Sequence, residues 1–132
     1  MANPRPRILV IGTRYMMGDP KKGPSSIEQL VERPFQVADF ADLELFLVDV
    51  VHLGHGGRID PWLLQLCDDE AIDLIVLIWW PGGPHHLNPS FETLYALRSE
   101  RGIPIAAAWF DTWDSWLVAE ADRVTPFVSF SV

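Results

Sequence analysis

Short apolar runs alternate along the chain with segments whose apolar residues recur at helical spacing. The runs predict strands over residues 7–13, 45–53, 73–80, 103–110 and 127–132. Strands that alternate with helices require right-handed crossovers and a parallel sheet. The pattern therefore predicts one α/β domain over residues 1–132: an open, doubly wound parallel sheet of about five strands in a Rossmann-like three-layer sandwich.

The first helical region follows a loop rich in glycine, proline and lysine. Ser25 or Ser26 is predicted to cap a helix there, because a serine oxygen accepts a hydrogen bond from an unused amide of the first turn. Pro34 is predicted to end or kink that helix, since proline lacks an amide hydrogen and its ring clashes with the preceding turn. Residues 35–43 are interpreted as a second short helix.

The later helices carry clearer start and stop signals. Asp60 before Pro61 predicts a helix start, with aspartate as the cap and proline in the first turn. A helix is predicted from residue 88 to 101, followed by Gly102 as its left-handed cap. A last helix is predicted over residues 114–121.

Residues 73–80 form the stretch around which the sheet is organised. The run is continuously apolar and partly β-branched, which is typical of a strand buried on both faces of a parallel sheet. In such sheets ligands bind outside the carboxyl ends of the strands. The sequence therefore predicts a site near residues 79–86.

Composition limits the function classes. Hydrophobic residues make up 48% of the chain and charged residues 21%, which fits a globular protein. A formal net charge of −8 argues against binding to an anionic membrane and predicts that nucleic acid is not a partner. No apolar run reaches the ~20 residues of a membrane span. Cys67 is the single cysteine, and with no apolar signal segment at the start it predicts a cytoplasmic location.

Several nucleotide and catalytic motifs are absent. The glycines after the first strand lack the G-x-G-x-x-G spacing, and no G-K-[ST] phosphate loop occurs. A phospho-receiver needs an acidic residue at the end of its third strand, where this chain has Trp79 and Trp80. The sequence also has no G-x-S-x-G nucleophile motif.

Candidate binding residues follow the first strand. Gly12, Thr13 and Arg14 end that strand, and Lys21 and Lys22 lie in the next loop. Together with amides at a helix start, these groups are suited to hold a phosphate or carboxylate. The alternative is a solvated basic loop without a ligand.

Aromatic and titratable side chains follow the third strand. Trp80 offers a ring for a sugar or flat heterocycle, and His85 and His86 can donate or accept protons near neutral pH. The alternatives are that a tryptophan here packs in the core and that both histidines decorate a turn. No metal site is predicted, because adjacent residues on an extended loop point apart.

The densest group of candidate residues follows the fourth strand. Asp111 lies between Trp109 and Trp113, so an apolar pocket would raise its pKa toward that of a general base. The alternative is that the Asp111 carboxylate caps or hydrogen-bonds loop amides. Asp114 is interpreted as the cap of the following helix.

Four short stretches carry a resemblance to a known family. They read Trp-Trp-Pro-Gly-Gly at 79–83, Leu-Arg-Ser-Glu-Arg-Gly-Ile-Pro at 97–104, Trp-Phe-Asp at 109–111 and Ala-Asp-Arg-Val at 121–124. This pattern resembles the amino-terminal Rossmann-like domain of GT-B glycosyltransferases, in the branch similar to spore-maturation proteins. The resemblance implies the amino-terminal, acceptor-side half of a longer two-domain enzyme.

The resemblance also implies roles and partners. Asp111, His85 or His86 would act as catalytic acid or base, and Gly12, Thr13, Arg14, Trp80, Trp109 and Trp113 would bind substrate, a small molecule or glycan acceptor. No cofactor is implied, since the nucleotide-sugar donor would bind an absent second domain, and this chain alone would be inactive. The alternatives are a stand-alone flavodoxin-like module that binds a flavin or nucleotide, and a non-enzymatic interaction domain.

The carboxyl-terminal strand suggests self-association. No helix follows residues 127–132 in the sequence, so Phe127 and Phe130 would leave apolar surface exposed. We expect such a surface, next to a strand edge, to pair with another copy.

Overall fold

The computed structural model describes residues 5–80, 87–108, 124–128 and 130–131. Its sheet has five parallel strands in the order β2-β1-β3-β4-β5. The strands are β1 (Arg7–Gly12), β2 (Asp42–Leu47), β3 (Leu74–Ile78), β4 (Ile105–Ala108) and β5 (Phe130–Ser131). This order is that of flavodoxin-like doubly wound folds. The predicted α/β class with an open parallel sheet is confirmed.

The helices lie between the strands. They are α1 (Arg33–Ala38), α2 (Val48–His55), α3 (Asp60–Asp69) and α4 (Phe91–Tyr95), with π-helical segments at Glu28–Glu32 and Ala96–Glu100 and short 3₁₀ turns at Met16–Gly18, Pro20–Lys22 and Thr125–Phe127. The first π segment runs directly into α1, and we call the two together the first helix. No helix in the described part of the chain has the length and apolarity needed to cross a membrane.

The first helix continues through Pro34, where the sequence predicted an end or kink. The Arg33 amide bonds to the Glu28 carbonyl, five residues back, and Pro34 then occupies the first turn of α1. Proline cannot donate the next bond of this helix, and the wider turn with its bond to the fifth residue back directly precedes it. The second short helix predicted over residues 35–43 is present only over residues 35–38, as the end of the first helix, and residues 42–43 belong to β2. The first helix ends at a left-handed Asp39 with φ 49°.

The second strand was also predicted in the wrong place. Residues 45–53 are mostly apolar around Asp49, but β2 ends at Leu47 and α2 begins at Val48. Two long-range contacts decide this boundary: Asp42 lies opposite Arg7 in the sheet, and the Asp49 carboxylate accepts hydrogen bonds from the loop after β1. The apolar run alone contains neither contact.

The two faces of the sheet are covered to different degrees. On the tight face, Leu9, Ile11, Ile75, Leu77 and Ile105 are fully buried in a core cluster that also contains residues of α3 and α4. On the loose face, Ile8 and Val10 are buried, whereas Leu74, Val76 and Ile78 are only partly covered, and the first helix packs there. The expectation that the third strand is buried on both faces therefore holds fully for one face only.

The carboxyl-terminal segment packs against α4. The Phe127 ring is partly buried and stacks on Phe91 with ring centroids 4.5 Å apart, and Val128 is buried. Arg98 donates hydrogen bonds to the carbonyls of Pro126 and Val128 at 2.6 and 3.1 Å. The Phe127 ring, expected to be exposed, is thus largely covered within the chain. The Phe130 side chain lies outside the described residues.

Candidate functional site

The carboxyl ends of β1 and β3 meet at the point where the strand order reverses. β1 and β3 are neighbours in the sheet, but the chain that follows β1 leads to β2 and the chain that follows β3 leads to β4 on the other side. The two connections therefore leave the sheet in different directions and form a crevice at the ends of these strands. A cavity of about 350 Å³ lies there. It is mostly apolar, and its walls are formed by Thr13, Met16, Ser25, Ser26, Ile27, Leu30, Val31, Ile78 and Trp80.

The start of the first helix forms one wall of this cavity. The Ser25 hydroxyl donates to the Thr13 carbonyl at 2.5 Å and accepts from the Ile27 amide at 3.2 Å. Gly12 lets Ile27 approach the end of β1: a Cβ atom at Gly12 would lie 2.8 Å from the Ile27 Cδ1 atom. In this wall the Ser25 hydroxyl ties the helix start to the strand, and Gly12 leaves room for the end of the Ile27 side chain.

A buried carboxylate holds the loop that follows β1. Asp49 is 1% exposed, and its two oxygens accept hydrogen bonds from the amides of Arg14 and Tyr15, each at 2.9 Å. Asp49 also accepts from the Val50 amide at the start of α2. Amides at this strand end often bind a ligand anion. Here the chain itself supplies the anion.

The side chain of Arg14 is likewise occupied. Its guanidinium donates to the Glu32 carboxylate at 2.8 Å, and both side chains are about one-quarter to one-third exposed, at 32% and 24%. The positive charge predicted to hold a phosphate or carboxylate therefore faces an acid of the first helix.

The two tryptophans after β3 have different surroundings. Trp79 is buried and lies parallel to Phe91 with centroids 6.0 Å apart, so it packs in the core, as one alternative predicted. Trp80 is partly exposed and lines the cavity. The fully buried Asn88 fixes the Trp80 backbone, accepting from its amide and donating to its carbonyl, both at 2.8 Å.

The indole N–H of Trp80 has no acceptor. In the described ranges it is the one buried side-chain nitrogen or oxygen without a hydrogen-bond partner. A buried donor left unpaired costs about 1–3 kcal/mol. An acceptor on a ligand would remove that cost if it reached the indole nitrogen.

The structure brings some of the predicted site residues together. Thr13 and Trp80 both line the cavity, Gly12 lies behind its wall, and Arg14 points to Glu32. The other predicted residues, His85, His86, Trp109, Asp111 and Trp113, lie outside the described residues. A binding or catalytic role for any of these nine residues stays a prediction. In the described part of the chain, no three His, Cys, Asp or Glu side chains come together as a metal site.

Sequence reasoning missed the apolar wall of the cavity. Met16, Leu30 and Val31 line it, and none of them was among the predicted site residues. Met16 and Leu30 are 52% and 61% exposed, which is unusual for large apolar residues next to a strand end. Leu30, Val31 and the methionines of the loop after β1, considered together, would have indicated an apolar wall near the end of this strand.

Comparison with known proteins supports the fold and little else. No protein-family model and no curated protein matches the chain. Among solved structures it is similar to RcsB from Salmonella enterica serovar Typhimurium, bound to promoter rprA in the presence of the phosphomimetic BeF3-, with TM-score 0.54 and 8% identity. The match covers 98% of this chain and 59% of the RcsB chain. It shows the fold alone.

The resemblance to GT-B glycosyltransferases was wrong. The structural neighbour is a response regulator with a flavodoxin-like receiver domain, and the strand order here is flavodoxin-like. Residues 97–104, which carried part of the resemblance, have structural roles in this fold. Gly102 follows a helix with φ +67°, and the Pro104 carbonyl accepts a hydrogen bond from the Ile75 amide beside β4. A glycine that ends a helix and a proline that precedes a strand occur in many α/β folds. The transferase and GT-B assignments are therefore withdrawn.

The prediction that no nucleic acid is a partner was also wrong as an inference from acidity. A protein with this fold, RcsB, is bound to promoter rprA, so the fold class is compatible with such a partner. The structure fits a flavodoxin-like module better than a glycosyltransferase domain.

Proposed function

We propose that the chain is a flavodoxin-like binding module that takes a flat, uncharged heteroaromatic ligand in the cavity between the first helix and the end of β3. The observation that carries the proposal is the cavity itself, about 350 Å³ at the point where the strand order reverses. Small-molecule sites typically have volumes of roughly 300–1,000 Å³ and mostly apolar walls with a few polar groups.

The walls favour a flat aromatic ligand. Trp80 contributes a ring edge or face, and Ile27 and Ile78 contribute aliphatic surface. Aromatic rings prefer offset-stacked or edge-to-face contacts, which a planar heterocycle can provide.

The surroundings of the cavity favour a ligand without phosphates. The amides of Arg14 and Tyr15 are bonded to Asp49, and the Arg14 guanidinium is bonded to Glu32. A phosphate placed at this strand end would find these donors taken and two carboxylates nearby. We therefore infer selection for the uncharged member of each pair of ligands, riboflavin over its phosphate and a nucleoside over its nucleotide.

Calorimetry with matched ligands tests the proposal. Riboflavin and flavin mononucleotide form one pair, and adenosine and adenosine monophosphate the other. We expect at least one pair to bind, and in each pair that binds we expect the uncharged member to bind more tightly than its phosphate. Absence of binding by all four compounds, or consistent preference for the phosphates, would contradict the proposal.

Two tryptophan variants locate the binding. Trp80→Ala should weaken binding about tenfold or more, because stacking on an aromatic side chain is worth roughly 1–3 kcal/mol. Trp62→Ala is the matched control, since Trp62 lies on α3 and stacks on His55 away from the cavity walls. Equal losses for the two variants would rule out the cavity as the site.

A second candidate function is a non-enzymatic interaction domain. The structural neighbour RcsB is bound to promoter rprA, and in the present chain β3 is followed by Trp79 and Trp80, where a phospho-receiver needs an acidic residue. Fluorescence anisotropy with labelled duplex DNA at low salt tests this candidate directly. A titration that saturates together with negative calorimetry would favour it over the small-molecule proposal.

We also propose a cytoplasmic location. Cys67 is buried within α3, and burial raises the pKa of its thiol to about 11. A free thiol of this kind is compatible with a reducing compartment. Fractionation of the native host, followed by immunoblotting, tests the location.

A further inference from the structure

An open groove runs along the outer side of β2, apart from the cavity described above. Its volume is about 620 Å³. One wall belongs to the first helix and its end, and the other to the strand; the lining residues are Glu32, Phe35, Gln36, Asp39, Ala41, Asp42, Leu43, Glu44 and Leu45. The groove lies on the loose face, beside the edge of the sheet.

The backbone of β2 presents unpaired groups to this groove. The Asp42 amide donates to the Pro6 carbonyl at 2.8 Å, so Asp42 faces β1. Alternate residues of a strand face its two neighbours, and the groups of Leu43 and Leu45 therefore face outward. Among the described residues no strand pairs with that side of β2. An unpaired edge is a template onto which an extended peptide can add.

The charges around the groove are unbalanced. Arg5 forms ion pairs with Asp39 and Asp42 at 2.9 and 3.2 Å, and Glu32 is paired with Arg14. Glu44 forms no ion pair within the described residues. The groove thus has more carboxylates than guanidinium groups around it, on a chain with net charge −8.

These charges decide between the possible occupants. A second copy pairing through the same edge would place its own Asp42 and Glu44 near those of the first, and like charges across strands are destabilising. A peptide with lysine or arginine would instead meet opposite charges. The edge therefore repels a copy of itself and attracts a basic strand.

We propose that the β2 edge binds an extended, basic peptide segment of a partner protein, which adds a strand to the sheet. Side chains alternate along such a strand, so every second residue would face the wall that Gln36 and Asp39 form. The residue opposite Glu44 would be lysine or arginine. Backbone hydrogen bonds to Leu43 and Leu45 would supply the remaining contacts.

Three synthetic peptides test the proposal by calorimetry with the full chain. The first alternates lysine and valine over seven residues; the second has the same sequence with alternate amides N-methylated; the third has glutamate in place of lysine. We expect binding by the first and at least a tenfold loss for the other two. Equal binding by the N-methylated peptide would show charge attraction alone and overturn strand addition.

Matched charge variants locate the site. Glu44→Gln should weaken the lysine–valine peptide about two- to fivefold, the effect of one partly exposed ion pair. Glu92→Gln, an exposed acid on α4, should leave binding unchanged. Equal effects of the two variants would overturn the assignment to β2. So would a concentration-dependent dimer of the unmutated chain that the lysine–valine peptide dissociates, since it would make a second copy the occupant of the same edge.

Discussion

The two faces of the sheet share the same strands but are covered very differently. On the tight face, residues of β1, β3 and β4 are buried together with α3 and α4, whereas on the loose face β3 stays partly exposed next to the first helix. Both the cavity and the β2 groove have walls formed by the first helix, on the loose side. The difference indicates that the tight face contributes most of the core, whereas the loose face leaves two openings beside the first helix.

The largest expected effect comes from two leucines of the same strand. Leu77 is fully buried on the tight face, and Leu74 is partly covered on the loose one. Leu77→Ala should lower the free energy of unfolding by about 2–5 kcal/mol, through lost burial and the cavity it leaves. Leu74→Ala should cost roughly 1–2 kcal/mol. Urea unfolding followed by circular dichroism measures both, and equal costs would refute the comparison.

A smaller effect is expected at the boundary of the loose face. Asp49→Asn would place an NH₂ group opposite one of the amides of Arg14 and Tyr15, so one donor would lose its acceptor. We expect a loss of about 1–3 kcal/mol in unfolding free energy. Asp19→Asn is the control, because the partly exposed Asp19 accepts from the Lys21 amide at a helix start, where asparagine serves equally well. If both variants unfold at the same urea concentration, Asp49 has no special role.

The tight face should respond to acid through Asp60. Burial acts to raise its pKa, but hydrogen bonds from the Ser90 amide, Thr93 and Arg58 outweigh burial and hold the pKa below its ordinary value. A carboxyl with a lowered folded-state pKa stabilises the fold above its unfolded pKa, and this contribution is lost as pH falls through the folded value. We expect thermal stability to fall below about pH 4. Asp60→Asn should flatten that part of the profile; an unchanged profile would contradict the assignment.

The smallest effect is expected for an exposed ion pair between two helical segments. A hydrogen bond from Arg101 lowers the pKa of Asp68, and Asp68 itself is exposed. Its contribution should also be lost as pH falls through the folded pKa, but solvent screening keeps it small. Asp68→Asn should therefore change the acid profile less than Asp60→Asn. The reverse order, in melts at low salt, would count against the burial argument.

Local signals were enough for the elements whose ends are marked in the sequence. The apolar run of β3, the start of α3 at Asp60–Pro61 and the left-handed Gly102 appear as predicted. The predicted cap was wrong, because the Asp60 carboxylate accepts a hydrogen bond from the distant Ser90 amide and does not cap α3. Elements decided by distant contacts were not predictable in this way. The end of β2 depends on its register against β1 and on the hydrogen bonds of Asp49.

The same reasoning applies to the candidate site. The rule that ligands bind at strand ends located Thr13 and Trp80, which do line the cavity. It did not reveal that Asp49 occupies the amides after β1 or that Glu32 faces Arg14. Those pairs join residues far apart in sequence, and charge counts along the chain do not show which charges are already matched.

The position of β1 in the sheet has a consequence for how the chain folds. β1 is made first but lies between β2 and β3, with Arg7 opposite Asp42 and Ile8 opposite Leu74. Each of these pairings must close a long loop, and the entropy of loop closure is lost before the favourable strand contacts form. Pairings of this kind slow folding. During synthesis, β1 therefore has no partner on its inner side until β3 has left the ribosome. We expect the apolar segment of β1 to be the part of the nascent chain that most needs protection from aggregation.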